Sequence, residues 1–345
     1  MKRIIRCVCF AVVFMVCFLS ITDVMRNKDD ATSYAPFYQE DEQYDVLFVG
    51  TSVTNCGISP LDLWHEYGIV SFNIANSGQG IANSYYALKD ALRVQKPRLV
   101  VMDVSYIARD SSTGMIHTLF DNMPMGQAKW QGVRDLAPES EWIDYFVPLL
   151  YYHQRWEELS AKDFDRIVSL NRGGAVMKQS YDEEGKVFDT SVFSEGMVIV
   201  PEDEKSPMDE KRQEYIGRIT QLCRDNDVDI LFVNYPGYAV GETNHGDGEE
   251  LQRLWNGFAD VARENHADYM NCLHMIDEIK FDFATDLADW RHLNINGNKK
   301  ITHYIGSYIQ EQYNIPDRRN ETELQHWNED YLTWQEYVRG LEAGK

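Results

Sequence analysis

The sequence is poor in basic residues. It has 345 residues, of which 33 are Lys or Arg and 55 are Asp or Glu, and its formal net charge is -22. Nucleic-acid binding requires a basic surface that neutralises phosphates, so this composition argues against a nucleic-acid partner. The 44% hydrophobic and 26% charged residues are typical of a globular chain rather than a disordered one.

Cysteine and metal-ligand patterns are also sparse. Three of the six cysteines lie in an apolar N-terminal run and three lie far apart outside it: Cys7, Cys9 and Cys17, then Cys56, Cys223 and Cys272. This odd number at wide spacing predicts neither a disulfide framework nor a zinc site. The histidines form no H-x-x-x-H pair, so the sequence predicts no metal and no cofactor.

The N-terminus combines positive charge with an apolar run. Basic residues at positions 2, 3 and 6 precede an uncharged stretch over residues 7–21. This layout is typical of a secretory signal or a signal anchor. No A-x-A-like cleavage site follows, which favours an uncleaved single-pass anchor over residues 1–25. The basic flank predicts a cytoplasmic N-terminus, with the rest of the chain outside the membrane, or secreted if the signal is cleaved.

Short apolar runs alternate with amphipathic helical patterns along the chain. The runs cover residues 44–50, 69–74, 99–104 and 229–234, with a weaker one over 269–275. They lack polar alternation, which is typical of strands buried on both faces of a parallel sheet. The helical patterns cover residues 84–94, 210–225, 249–265 and 297–312. The alternation predicts an α/β fold, a doubly wound parallel sheet of the flavodoxin-like, three-layer kind.

Three further segments flank or interrupt this pattern. Residues 26–43 are polar and acidic and predict a stalk before a folded domain over 44–315. Residues 109–206 contain aromatic-rich and Gly-rich stretches and predict an insertion at the carboxyl edge of the sheet, either a lid or substrate wall or plain scaffolding. Residues 316–345 carry an apolar stripe in a charged tail and predict a helix that docks on the domain.

Two short motifs could supply a serine nucleophile and its base. Ser52 follows the first predicted strand in Gly50-Thr51-Ser52, where a hydroxyl at a strand-to-helix turn is exposed. Taken alone, this tripeptide could equally be a helix cap. Asp289 and His292 lie three residues apart before the last amphipathic helix, so one loop can present both side chains, although Asp289 could instead cap that helix. Together they permit a catalytic triad.

A glycine-rich stretch after the second strand could supply oxyanion donors. Residues 73–80 read Asn-Ile-Ala-Asn-Ser-Gly-Gln-Gly, and such small residues let backbone amides approach a ligand closely. The amide of Gly78 is the candidate donor, together with that of Ser52.

This joint arrangement resembles the SGNH/GDSL hydrolase superfamily over about residues 45–313. More narrowly, it is similar to the outward-facing, membrane-anchored SGNH-like proteins of Gram-positive bacteria that act in teichoic-acid D-alanylation and polysaccharide O-acetylation. The block from Gly50 to Pro60, the segment 117–156 and the block from Asp289 to Gly297 carry the resemblance. It implies Ser52 as the nucleophile, His292 as the general base and Asp289 as its orienting acid.

The sequence departs from the superfamily pattern after the third strand. No Gly-x-Asn-Asp follows it, so the third oxyanion donor has to come from elsewhere. Asn76 is the first candidate, and Gln79 and Asn234 are candidates for substrate binding. His117 and His153 are isolated among aromatic residues, which favours packing over catalysis. Arg109 and Arg155 could bind an anionic polymer, although structural ion pairing is the competing interpretation.

The resemblance implies a serine-dependent O-acyl esterase or acyltransferase that works through an acyl-enzyme. Acylated polysaccharide or wall polymer is the expected substrate. Because acyl-coenzyme A is not expected outside the cell, a transferase would need a membrane-bound O-acyltransferase as its partner. The alternative is a non-catalytic, membrane-anchored protein that binds polymer or scaffolds a complex.

Overall fold

A computed structural model describes residues 1–26, 37–38, 42–160, 163, 198–238 and 248–342. Most of the predicted stalk over 26–43 lies outside these ranges. Residues 164–197 of the predicted insertion also lie outside them, so the boundaries of both segments stay predictions.

A parallel sheet forms the centre of the described structure. Its five strands are β1 (Val46–Thr51), β2 (Ser71–Asn76), β3 (Leu99–Asp103), β4 (Asp229–Asn234) and β5 (Asp268–Asn271). They are ordered β2-β1-β3-β4-β5, and every neighbouring pair is parallel. The predicted doubly wound α/β sheet is therefore confirmed.

Helices cover both faces of the sheet. The α-helices before β4 are α1 (Lys2–Met25), α2 (Ser52–Gly57), α3 (Pro60–Tyr67), α4 (Ile81–Ala91), α5 (Thr113–Asn122), α6 (Gln127–Leu136), α7 (Trp142–Phe146), α8 (Leu149–Tyr152) and α9 (Glu210–Asp225). Those after β4 are α10 (Gly248–Glu264), α11 (Ile276–Ile279), α12 (Phe283–Asp286), α13 (Ile295–Gln312) and α14 (His326–Glu342). Short 3-10 turns cover Glu139–Glu141, His153–Glu157, Cys272–Met275 and Thr322–Leu324.

The two faces of the sheet belong to separate cores. Side chains of β1 alternate between them: Leu47 packs in the cluster that includes α4 and α9, and Phe48 packs in the cluster that includes Ile301 and Ile305 of α13. Strands β1, β2 and β3 are buried at every residue, which explains why their sequences lack polar alternation. The result is the predicted three-layer arrangement.

Helix α1 is the one helix in the described ranges that is long and apolar enough to cross a membrane. By length and composition alone, a signal sequence would pass the same test. Most of α1 is exposed, but Thr22 and Met25 in its last turn are buried. There α1 contacts α8 and the turn His153–Glu157.

The C-terminal helix α14 packs on the domain. Trp327 and Trp334 are buried, and α14 contacts α3. The indole of Trp327 donates a hydrogen bond of 2.9 Å to Glu42 Oε2, just ahead of β1. The apolar stripe of the tail therefore faces the folded domain rather than solvent.

Candidate active site

Ser52 is the first residue of α2 and directly follows β1. Thr51 is the N-cap, and its Oγ1 accepts a hydrogen bond of 3.1 Å from the Val53 N–H. The cap ends the strand and starts the helix within one residue, so the Ser52 side chain lies at the carboxyl edge of the sheet. Ser52 is partly exposed, whereas its neighbours Thr51 and Val53 are buried.

The turn that carries Ser52 is held by β3. Asp103 ends that strand and is buried, and its Oδ2 accepts hydrogen bonds from the Thr51 N–H at 3.1 Å, the Thr51 hydroxyl at 2.7 Å and the Thr54 hydroxyl at 3.1 Å. Any Cβ at position 50 would collide with Asp103 and Thr54. Gly50 is therefore required for this close approach of β3 to the serine turn.

Asp289 and His292 lie in the loop that leads into α13. The loop closes on itself, because the Ala288 N–H donates to the His292 carbonyl at 2.7 Å. Asn294 ends it as the N-cap of α13, accepting hydrogen bonds from the Asn296 and Gly297 N–H groups. A tight loop of this kind restricts the positions that the His292 ring can adopt.

Ser52, His292 and Asp289 form a continuous hydrogen-bonded chain. Ser52 Oγ is 2.7 Å from His292 Nε2, and His292 Nδ1 is 2.8 Å from Asp289 Oδ2 and 3.0 Å from Oδ1. The side chains of His292 and Asp289 are 17% and 29% exposed, so the chain opens to solvent at the surface. With Nδ1 donating to the carboxylate, Nε2 is free to accept the serine proton.

Asp289 is held as a carboxylate. Burial opposes its ionisation, but hydrogen bonds from the His292 ring and from the N–H groups of His292 and Arg291 outweigh it and lower the pKa of Asp289 from 3.8 to about 2. The two backbone donors are 2.8 and 2.9 Å from Oδ1. Asp289 is therefore ionised at neutral pH and fixes the orientation of the imidazole.

The loop after β2 lies next to the serine turn. Thr51 pairs with Asn76 in the β1–β2 register, so the residues that follow each strand leave the sheet side by side. Gly78 in this loop has a φ of 62°, in the left-handed region, and any Cβ there would also collide with Met115 of α5. The structure thus brings Gly78 to the same edge of the sheet as Ser52.

The side chains of Asn76 and Gln79 bond to each other, and Gln79 also bonds to Ser84 of α4. Asn76 Nδ2 donates to Gln79 Oε1 at 3.1 Å, and Gln79 Nε2 donates to Ser84 Oγ at 3.2 Å. Both residues are 3% exposed. The predicted substrate-binding role of Gln79 has no support from this packing, since its amide holds the loop. The bond to Gln79 uses one of the two N–H donors of the Asn76 amide, so the oxyanion role of Asn76 stays a prediction.

Asn234 is not brought to the serine. It ends β4, which is separated from β1 by β3, and it is fully buried. Its Nδ2 donates to Asn271 Oδ1 at 2.8 Å, toward β5 and away from β1. The end of its strand lies at the same edge of the sheet as Ser52, but its side chain joins β4 to β5. The substrate-binding role of Asn234 stays a prediction without support from this contact.

The two isolated histidines do not join the Ser52 site. His117 is 1% exposed and stacks between Tyr145 and Tyr151, with ring centroids 4.0 and 3.6 Å away. Its Nδ1 is 3.0 Å from Asp121 Oδ2. His153 is exposed, and its Nδ1 is 2.6 Å from the Leu150 carbonyl. His117 is therefore packed among aromatic rings, whereas His153 bonds to the backbone at the surface.

The two candidate anion-binding arginines differ in environment. Arg155 donates to Asp163 at 2.9 Å and to the Met25 carbonyl at 2.7 Å, so it is a structural residue. Arg109 lies over the Tyr106 ring at 5.7 Å and lines a cavity of about 110 Å³ together with Gly80 and Asn83. Gly80, which lines this cavity, is two residues after Gly78 in the sequence.

Sequence reasoning missed two residues that position the site. Asp103 was visible only as a carboxylate at the end of a strand, where the expected Gly-x-Asn-Asp is absent. Arg291 lies inside the Asp289–His292 motif and is 2% exposed. Its guanidinium lies 5.0 Å from the Tyr106 ring and 4.9 Å from the Trp255 ring, and it donates to the Ser105 carbonyl. It thereby ties the histidine loop to the end of β3.

Within the described ranges, no group of three or more His, Cys, Asp or Glu side chains is arranged to hold a metal ion. No protein-family model matches the chain, and no curated protein is significantly similar in sequence.

Several solved structures are similar to this chain at low identity. An assumed acylhydrolase from Bacteroides fragilis has 12% identity and a TM-score of 0.41, with 81% of this chain and 95% of that chain covered. A catalytic mutant of an acetylxylan esterase from Geobacillus stearothermophilus has 12% identity and a TM-score of 0.39, covering 78% and 93%. A GDSL-like lipase from Bacteroides thetaiotaomicron has 12% identity and a TM-score of 0.37, covering 77% and 87%.

Proposed function

We propose that this protein is a serine-dependent O-acyl esterase or acyltransferase of the SGNH/GDSL type. The observation that carries the proposal is the unbroken chain from Ser52 Oγ through His292 to Asp289, with distances of 2.7 and 2.8 Å. Three residues from opposite ends of the sequence meet at the carboxyl edge of a parallel sheet, in the orientation that acyl transfer to serine requires.

The reaction begins when Ser52 Oγ attacks the carbonyl carbon of an ester. His292 Nε2 takes the hydroxyl proton, and the Asp289 carboxylate stabilises the imidazolium that results. The amides of Ser52 and Gly78 are the donors for the oxyanion, and such a donor typically contributes about 3 kcal/mol to the transition state. His292 then returns the proton to the leaving alcohol, and an acyl-enzyme remains on Ser52.

The acyl-enzyme is resolved by water or by a sugar hydroxyl. His292 deprotonates that acceptor as it attacks the acyl carbonyl, and then gives the proton to Ser52 Oγ as the bond between Ser52 and the acyl group breaks. Water makes the protein an esterase and a sugar hydroxyl makes it a transferase. We propose an acylated polysaccharide or wall polymer as the substrate, supported by the resemblance to the Gram-positive SGNH-like proteins of teichoic-acid D-alanylation and polysaccharide O-acetylation.

The proposed location is the outer face of the cell membrane, with α1 retained as an anchor. The support is that the last turn of α1 packs on the domain: Thr22 and Met25 are buried, and Arg155 bonds to the Met25 carbonyl. A transferase at this location would receive its acyl group from a membrane-bound O-acyltransferase, because acyl-coenzyme A is not expected outside the cell.

Labelling of Ser52 by a fluorophosphonate tests the proposal directly. The purified full-length protein should be labelled, and Ser52→Ala should abolish both the labelling and the turnover of p-nitrophenyl acetate. Ser77→Ala is the matched control, because Ser77 is an exposed serine at the same edge of the sheet. It should keep the wild-type labelling rate.

Labelling also covers a dedicated transferase, which could turn over an artificial ester slowly. Full labelling of the Ser52→Ala variant would refute the assignment of Ser52 as the nucleophile. Unchanged polymer modification in cells that carry Ser52→Ala and His292→Ala would instead favour the non-catalytic polymer-binding or scaffold protein.

A further inference from the structure

The exposed apolar side chains of the domain are concentrated near the end of α1. Beyond the end of α1, ten large hydrophobic residues are exposed in the described ranges, and six of them fall between residues 125 and 156. We call these six the anchor-side patch: Met125 (64% exposed), Trp130 (56%), Ile143 (54%), Leu150 (48%), Tyr151 (41%) and Trp156 (65%). Exposed apolar groups clustered in this way mark a surface that contacts another apolar phase.

The members of the patch lie on elements that pack together. Trp130 of α6 stacks on Phe146 of α7, with ring centroids 4.1 Å apart. Ile143 lies three residues before Phe146 and is therefore its neighbour on the same helix surface. Helix α7 contacts α8, which carries Leu150 and Tyr151, and the turn with Trp156 follows α8 directly.

The patch is fixed at a short distance from the end of α1. Arg155 Nη1 donates a hydrogen bond of 2.7 Å to the carbonyl of Met25, the last residue of that helix. Trp156 is the next residue after Arg155, so its Cα is about 3.8 Å from that of Arg155. If α1 spans the bilayer, its last turn lies at the bilayer surface, and Trp156 must lie there too.

The chemistry of the patch suits the lipid interface. Trp and Tyr are enriched at the headgroup level of membranes, where an apolar ring with a polar tip is favoured, and aliphatic side chains beside them reach the start of the acyl chains. Acidic residues, among them Glu139, Asp144 and Glu157, interleave with the patch in sequence. Attraction to anionic lipids is therefore not the driving force, and apolar burial is.

We propose that the anchor-side patch inserts into the outer interface of the lipid bilayer, so that the domain lies against the membrane instead of standing off on a stalk. This proposal rests on the part of the proposed function that retains α1 as an anchor, and it does not depend on the chemistry of Ser52. Helix α5 links the patch to the site: Met115 packs against Gly78, and His117, two residues on, stacks on Tyr151. The membrane contact would therefore hold the sheet edge that carries Ser52 at a fixed distance from the bilayer surface.

Site-directed fluorescence in the full-length protein tests the proposal. The exposed cysteines of α1 are replaced by Ala (Cys7, Cys9 and Cys17), whereas the other three cysteines are buried and resist labelling. Trp156→Cys and Leu150→Cys are then labelled with an environment-sensitive nitrobenzoxadiazole probe. Leu332→Cys is the matched control, because Leu332 is 64% exposed like Trp156 but lies on α14. All are reconstituted in vesicles of pure phosphatidylcholine.

The proposal predicts blue-shifted emission at positions 156 and 150 and strong quenching by lipids with a nitroxide near the headgroup, with weaker quenching by a nitroxide at the end of the acyl chain. Position 332 should instead be quenched by aqueous iodide. Adding anionic lipid should not increase the lipid quenching.

Equal iodide quenching at positions 156, 150 and 332 would overturn the proposal. Shielding of 156 in native membranes but not in pure lipid would overturn it in favour of a protein partner. Release of the chain by alkaline carbonate would overturn it as well, because α1 would then not be an anchor. Circular dichroism of each variant confirms folding, and fluorophosphonate labelling of Ser52 reports separately on the proposed function.

Discussion

The hydroxyl of Thr51 donates a hydrogen bond of 2.7 Å to the buried carboxylate of Asp103, so the third strand fixes the turn that presents the candidate nucleophile. The same oxygen accepts from the Thr51 N–H and from the Thr54 hydroxyl. Three donors from one turn therefore converge on a single acceptor. This arrangement sets the direction of Ser52 before any substrate binds, as a preorganised catalytic group requires.

Asp103→Asn should weaken both the fold and the site. An amide has one acceptor oxygen in place of two, so at least one hydrogen bond to a charged acceptor is lost, at a cost of about 1.5–3 kcal/mol. We expect a lower free energy of unfolding in urea and slower fluorophosphonate labelling of Ser52. Thr54→Val is the control, because it removes a single hydroxyl donor and should cost about 1 kcal/mol. Equal effects of the two variants would contradict the proposed role of Asp103.

Asp289→Asn should remove most of the activity without unfolding the protein. The amide no longer fixes the His292 tautomer that accepts the serine proton, and a change of this kind lowers kcat by about 10⁴-fold in a serine triad. Ester turnover at neutral pH measures this loss of kcat. Asp282→Asn is the matched control in the same region, since Asp282 caps α12 and Asn is an equally good cap. A kcat within a few-fold of wild type for Asp289→Asn would remove Asp289 from the mechanism.

Asp289 also makes stability depend on pH. Its pKa is lowered from 3.8 to about 2 in the folded protein, so its stabilising contribution is complete above pH 3.8 and is lost as the pH falls toward 2. The shift corresponds to about 2 kcal/mol. The difference in unfolding free energy between wild type and Asp289→Asn, measured in urea, should therefore shrink as the pH falls from 3.8 toward 2. A difference that stays constant down to pH 2 would contradict this linkage.

The sheet was predictable from sequence because its strands are continuous apolar runs. The run over 229–234 became β4 at those bounds, and the helix predicted over 210–225 became α9. The other strand predictions shift by one or two residues, but the weakest, over 269–275, is a strand in its first half alone: β5 covers Asp268–Asn271, and Cys272–Met275 form a 3-10 turn. Strand β5 lies at the edge of the sheet, where the apolar pattern is shortest and boundaries are hardest to place.

The candidate triad was predictable for a different reason. Ser52 follows a strand and His292 precedes a helix, so the topology of a parallel sheet alone brings both to one edge. Side chains that bond across that edge were not predictable, because hydrogen-bond partners depend on register and rotamer. Asn234 and Asp103 show this: both end central strands, but one turns toward β5 and the other toward the serine turn.

Gly78→Ala should separate backbone strain from steric collision at the candidate oxyanion loop. Gly78 has a φ of 62°, where a residue with a Cβ pays about 1–2 kcal/mol, and that Cβ would also collide with Met115. We expect a destabilised protein whose kcat falls about 10²- to 10³-fold if the Gly78 amide is displaced from the oxyanion. Adding Met115→Ala should recover part of the stability, because the collision is removed, but not the kcat, because the strained φ remains.

Gly114→Ala is the control, since a Cβ there meets only open space and one distant hydroxyl, and it should be close to neutral. Ester turnover and urea unfolding of the four proteins give both quantities, and a fully active Gly78→Ala would contradict the expected displacement of this amide.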